Sequence, residues 1–171
     1  MDFRRQHCSQ SGVSILEVTI AGFFLTVVSV ALLNAFTMAV GQNKTQGEIG
    51  TRVTEYAQDK MEQLLALSYS DTTSNTASST YPAPSTGGTG LSDGGGINPA
   101  SPVANYVDYL ASDGTLQGGT STSTTFYKRL WQISSASNLK TITVFTTAVN
   151  TAGGRGKVPT TTLVSFKSNT Q

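Results

Sequence analysis

The sequence predicts an α+β protein: a long N-terminal helix, apolar and membrane-length in its first half, packed through its second half on a small C-terminal antiparallel sheet. Three observations carry that expectation. Residues 13–40 contain one charge, Glu17, in 28 residues. Residues 49–65 then place apolar side chains three and four apart. Beyond residue 102, alternating and β-branched runs are separated by glycine-containing turns. With 171 residues the chain has material for one domain of ordinary size.

The elements follow in order. Residues 1–12 form a short polar stretch carrying Arg4 and Arg5. The positive-inside rule places that end in the cytoplasm and the remainder across a membrane crossed once. As a helix, residues 13–40 would rise about 42 Å, more than the roughly 30 Å of a hydrocarbon core. Small residues at Thr37 and Ala39 invite comparison with a cleavable secretory signal. The run, however, is about twice the 7–15 residues of a signal core and carries a carboxylate in its first turns.

Glu17 is the informative residue. An ionised carboxylate at the centre of a membrane helix costs at least about 2.5–3.5 kcal/mol, less near an end that reaches the interface. Cleavage after Gly12 would give Val13 a new ammonium four residues before Glu17, on the same helix face, and so supply a cation in the same or a neighbouring chain. The competing reading is an interfacial Glu that reaches water by itself.

The junction Gly12-Val13-Ser14-Ile15-Leu16-Glu17-Val18 resembles the class III leader of type IV pilins and type II secretion pseudopilins. In that family a short basic leader ends in Gly, and the fifth residue of the mature helix is Glu. The resemblance implies that a prepilin peptidase cleaves between Gly12 and Val13 and methylates the Val13 amine, and that Glu17 acts in assembly by meeting the Val13 amine of a neighbour. Val13 is a departure, since the family usually begins its mature chain with Phe or Met. The implied partners are other pilin subunits in a helical filament, the prepilin peptidase, an inner-membrane assembly platform, and membrane lipid before assembly. The implied location is the inner membrane, with the N-terminus cytoplasmic and the C-terminal domain periplasmic, and then a pilus at the cell surface.

Residues 41–69 read as an amphipathic helix with Ile49, Val53, Tyr56, Ala57, Met61, Leu64 and Leu65 on its apolar face. Glu48, Arg52, Glu55, Asp59, Lys60 and Glu62 occupy the polar remainder, with Glu48 and Arg52 as a favourable i,i+4 pair. Gly41, Gly47 and Gly50 each weaken the helix by about 1 kcal/mol relative to Ala, so a bend or melted turn is expected there. In residues 70–102, Ser, Thr, Gly and Pro supply 23 of 33 positions, and the segment reads as a solvated loop.

Residues 103–171 form the sheet. Tyr106 to Leu110 and Thr115 to Gln117 flank an Asp113-Gly114 turn signal, as a short hairpin would. The run 125–133 alternates, 139–149 is rich in β-branched residues, and 160–166 returns antiparallel to it after a glycine-rich loop at 153–159. The stretch from Lys60 to Tyr69, with the strands around Arg129 to Ile133 and Leu139 to Val144, more loosely resembles minor pilins of the PilV type. The resemblance implies a minor pilin that primes or modifies a pilus, or alternatively a pseudopilin of type II secretion. A reading from another class is a membrane-anchored exported module that is adhesive or binds carbohydrate.

Composition restricts the chemistry. One Cys and one His cannot form an intrachain disulfide or a four-ligand zinc site. If Gly12 is the cleavage point, His7 and Cys8 leave with the leader, Arg4, Arg5 and Asp2 go too, and nine basic residues face nine acidic ones. Thiol and imidazole catalysis are then excluded. Gly153 to Lys157 lacks the spacing and following helix of a phosphate loop. Its Arg155 and Lys157 do not amount to a nucleic-acid patch, so no nucleic acid is expected. No catalytic residue, cofactor-binding residue or metal ligand is expected, and the protein is not expected to be an enzyme. Trp131, Tyr106, Tyr109 and Tyr127 are expected in the core rather than on an adhesive surface.

Overall fold

A computed structural model of the protein describes residues 12–149 and 158–169. The leader residues 1–11 and the loop residues Gly153 to Lys157 lie outside the described residues. The chain divides into two compact units, residues 1–43 and 44–171. The α+β expectation holds: one long helix, α1 (Ile15–Ala66), precedes six strands. These are β1 (Gly94–Gly95), β2 (Val107–Ala111), β3 (Leu116–Gly118), β4 (Thr125–Ala136), β5 (Leu139–Ala148) and β6 (Thr160–Ser168).

In the first unit the sequence makes a helix with no face of its own to bury. Ile15, Phe23, Phe24, Leu25, Leu32, Leu33, Phe36 and Met38 are all exposed, and the most apolar 18-residue window contributes no burial. Its hydroxyls are consumed locally. Thr19 donates to the Ile15 carbonyl at 2.8 Å, Thr26 to Gly22 at 2.8 Å and Ser29 to Leu25 at 2.7 Å. Hydroxyls that bond back to the helix in this way can enter an apolar medium without leaving their donors unpaired. By length and composition, this one can cross a membrane.

In the second unit the rest of α1 packs on one face of the sheet. Helical hydrogen bonding continues past Gly41, Gly47 and Gly50, so the melted turn expected there is absent. The stripe Val53, Ala57, Met61 and Leu64 is buried, as its spacing predicts. Ala57, Met61 and Leu64 join Trp131, Ile133, Ile142 and Val144 in the main core, while Val53 meets Leu110, Tyr127 and Ala148. Burying each large apolar side chain of this set contributes about 1.5–3 kcal/mol. Tyr56, partly buried, meets Tyr127 edge to face at 4.9 Å between ring centroids. Tyr106, Tyr109, Tyr127 and Trp131 are buried, the core role expected of them.

The helix ends at Ala66, three residues before its expected end. No basic residue occupies its last turn, yet its terminal carbonyls attract cations. Lys167 on β6 supplies one, donating to the Leu65 carbonyl at 2.7 Å.

The sheet is antiparallel in the order β3-β2-β4-β5-β6, with β1 paired to the far end of β4. The hairpin at Asp113-Gly114 forms: Gly114 has φ +88°, Thr115 N–H donates to Asp113 Oδ1 and Ala111 N–H to the Thr115 carbonyl. The two-residue β1 was not legible. It exists because Gly94 (φ +146°) and Gly95 (φ +80°) lie flat beneath the Tyr106 ring, where a Cβ on Gly95 would stand 2.2 Å from the Trp131 carbonyl.

The segment 70–102 differs from the solvated loop expected. Ala77 and Leu91 are core residues, and Ser74 and Thr76 are buried beside them. The physical reason is local polar closure. The Asp71 carboxylate accepts Thr73 N–H, Ser74 N–H and the Ser74 hydroxyl, and the Leu91 N–H returns to the Asp71 carbonyl at 2.7 Å. Burial alone would raise the Asp71 pKa, but these bonds from Ser74 and Thr73 hold it below the usual carboxylate value. Short polar residues thereby replace the strand ladder as the source of backbone partners.

Candidate functional site

Two places concentrate chemistry, one in each unit. The first is the helix start. Gly12, Val13 and Ser14 precede the helix, whose first turn contains Glu17. An acidic residue there complements the positive helix end. Among the described residues, a Cβ at Gly12 would meet nothing within 4 Å. Val13 and Glu17 line one open groove with Val18, Ala21, Gly22 and Leu25, and Glu17 also borders a second with Ser14, Leu16, Ile20 and Ala21. Among the described residues Glu17 has no ion pair and no hydrogen bond to its carboxylate. Among those residues the carboxylate is thus unpaired in an apolar surround, four residues along the chain from Val13.

The second place was missed by sequence reasoning. Lys60, assigned to the polar face of the helix, is wholly buried. Its ammonium donates to Asp108 Oδ2 at 2.8 Å and to the Thr76 carbonyl, and sits 4.0 Å from the centre of the Trp131 ring. Arg129 on β4 grips the same carboxylate with two bonds, Nε to Oδ1 and Nη2 to Oδ2, both 2.8 Å. Its remaining nitrogen reaches Asp59 at 2.7 Å and the Tyr56 carbonyl at 3.3 Å. Asp59 and Lys60 come from α1, Asp108 from β2 and Arg129 from β4, so the cluster joins all three.

The electrostatics follow from burial and charge count. Desolvation lowers the Lys60 pKa to about 8, against the opposing pull of Asp108. Burial would raise the Asp108 pKa, but Lys60 and Arg129 together hold it below its ordinary value. Arg129 is raised despite burial, because Asp108 and Asp59 both face it. Two buried cations thus share one fully buried anion, and the exposed Asp59 supplies the second negative charge. The chemistry of this arrangement is structural: Lys60, Asp108 and Arg129 satisfy one another with side chains 0–1% exposed. One signal in the sequence could have revealed it. Arg129 lies in register with Tyr127 and Trp131 on the apolar face of β4, where a charge demands a partner.

Among the described residues no group of three or more His, Cys, Asp or Glu is arranged to hold a metal ion. The expected cleavage pair Gly12 and Val13 and the expected assembly residue Glu17 lie together at the helix start, remote in sequence from the buried cluster. Comparison of the chain with family models, curated proteins and solved structures finds no match in any of the three.

Proposed function

We propose that the protein is a structural subunit of a type IV pilus-like filament, most like a minor pilin, and that it works by helix packing rather than by catalysis. A prepilin peptidase removes residues 1–12, and residues 13–40 anchor the chain in the inner membrane with the C-terminal domain in the periplasm. On assembly the same apolar helix leaves lipid and packs among neighbouring helices, with Glu17 meeting the methylated Val13 amine of an adjoining subunit.

The observation that carries this reading is the combination at the helix start: a Glu17 without a partner among the described residues, four residues after Val13, on a helix whose residues 15–40 are uncharged apart from it and exposed throughout. Such a helix requires either lipid or other helices. A carboxylate with no cation beside it among the described residues makes the choice of neighbour specific, because a misregistered insertion leaves a buried charge uncompensated. The head domain supports the same view, since its own core is complete without the first 43 residues.

The test is intact mass of the chain purified from membranes of its native host. The expected species lacks residues 1–12 and carries one methyl group on Val13. An unprocessed N-terminus, or a cut near Ala39, would overturn the reading and leave a singly anchored or secreted module in its place.

A further inference from the structure

Residues 15–40 carry six polar side chains: Glu17, Thr19, Thr26, Ser29, Asn34 and Thr37. The four hydroxyls all donate to carbonyls of their own helix. Glu17 and Asn34 do not close in this way, and among the described residues neither side chain has a hydrogen-bond partner. Glu17 belongs to the helix start described above, but Asn34 does not. It lies 17 positions further on, about 26 Å along the axis at roughly 1.5 Å per residue. At about 100° per residue it projects roughly 100° around the helix from Glu17.

Depth makes this amide costly. Between Glu17 and Lys44, the nearest charges on either side, lie 26 uncharged residues, about 39 Å of helix. A hydrocarbon core of about 30 Å centred on that run places Asn34 roughly 5 Å from the midplane. Lysine and arginine reach the interface along their length, but an Asn side chain is too short to do so from there. Its amide, with two donor hydrogens and an acceptor oxygen, is left in a medium that offers neither partner. We infer that Asn34 is the polar contact of a parallel helix pair formed within the membrane with a second copy of this chain.

Three observations select that occupant. The first is chemical: an amide donates and accepts at once, so a facing amide satisfies both needs. The second is depth. A single-pass chain inserts in one orientation, so a second copy presents its own amide at this level, whereas another helix would need a polar residue of its own there. The third is the pattern around Asn34. Ile20, Val27 and Asn34 recur every seven residues, and Leu16, Phe23 and Val30 recur at the same period on the adjoining row, all exposed. β-Branched residues in the first heptad position with other apolar residues in the fourth favour two parallel strands, and one Asn in the first position fixes register and strand number. Helix pairs in membranes use the same left-handed packing, with polar side chains bonded across the seam. A slip of one heptad would set Asn34 against Val27 and strand both amides, so partner and register are chosen together. Glu17 falls on the flank of this seam and takes no part in it. The inference rests on the membrane-spanning reading of residues 13–40 and is independent of filament assembly.

The test uses the full-length chain in membranes with Cys8 changed to Ser. Val27→Cys and Val30→Cys lie on the proposed seam, while Leu25→Cys and Leu32→Cys lie at matching depth on the opposite side of the helix. Oxidation is expected to give at least fivefold more homodimer from the first two than from the second two. Asn34→Leu, which keeps the size and removes the amide, is expected to cut the seam dimers at least fivefold, and Asn34→Gln, which restores an amide, to keep at least half of them. Resistance to alkaline carbonate in every variant separates loss of pairing from loss of insertion. Equal yields from the two sides, seam dimers unchanged by Asn34→Leu, or a dominant crosslink to a different protein overturns the inference and leaves the anchor in place. Release of the parent chain by carbonate overturns both. The seam dimers are expected to persist in a Glu17→Ala background, and their loss there would assign the contact to filament packing and overturn the inference.

Discussion

The buried cluster gives the most demanding test of the head domain. Replacing Asp108 with Asn keeps the side-chain shape but removes the one fully buried anion facing Lys60 and Arg129, whose side chains are 0% and 1% exposed. Arg129 retains the exposed Asp59, but Lys60 is left with neutral partners alone, the Thr76 carbonyl, the Trp131 ring and the amide oxygen of the new side chain. Breaking a buried pair by removing one partner costs about 3–5 kcal/mol, because the remaining charge stays desolvated. At roughly 3 °C per kcal/mol for a chain of this length, melting should fall by about 10–15 °C. Lys60→Met is expected to be milder, about 1–2 kcal/mol, because Asp108 keeps both Arg129 bonds and the lost ammonium no longer has to be desolvated. The double variant should be more stable than Asp108→Asn alone by over about 1 kcal/mol, since it removes the stranded cation. Thermal unfolding in detergent micelles, followed by fluorescence of Trp131, the sole tryptophan, reads all three. An Asp108→Asn protein melting within about 3 °C of the parent, or one more stable than Lys60→Met, would refute the reasoning.

Three further outcomes are expected. The Lys60 pKa of about 8 lies below its unfolded value near 10.5, so between those limits the unfolded chain binds more protons and stability gains with rising pH. The stability difference between the parent and Lys60→Met should therefore shift toward the parent from pH 8 to 10.5, and a shift the other way contradicts that sign. Gly95→Ala forces a side chain into a backbone of φ +80° against the Trp131 carbonyl, and urea denaturation should register a loss of about 2 kcal/mol or more. Glu17→Ala should insert into membranes at parental levels yet fall at least tenfold in sheared filaments. Parental incorporation there would remove Glu17 from assembly.

What the sequence determined by itself was whatever depends on local pattern. The unbroken apolar run of residues 13–40, the three-and-four spacing from Val53 to Leu64, the Asp113-Gly114 turn and the β-branched run from Leu139 all specify their element without reference to anything distant. The position of Glu17 in the first turn of the helix was legible for the same reason, since a lone carboxylate in an apolar run is visible in one dimension. Tertiary structure alone decided the rest, because a charge or a loop is assigned by what it meets. Lys60 reads as a surface residue until Asp108, 48 residues later, and Arg129 arrive to neutralise the pocket. Residues 70–102 read as solvated until Asp71 and Ser74 close their backbone and place Leu91 under the sheet. The strand order placed β6 at the end of the sheet beside β5, because hydrogen-bond partners across a sheet are chosen by global packing and not by the sequence of any one strand.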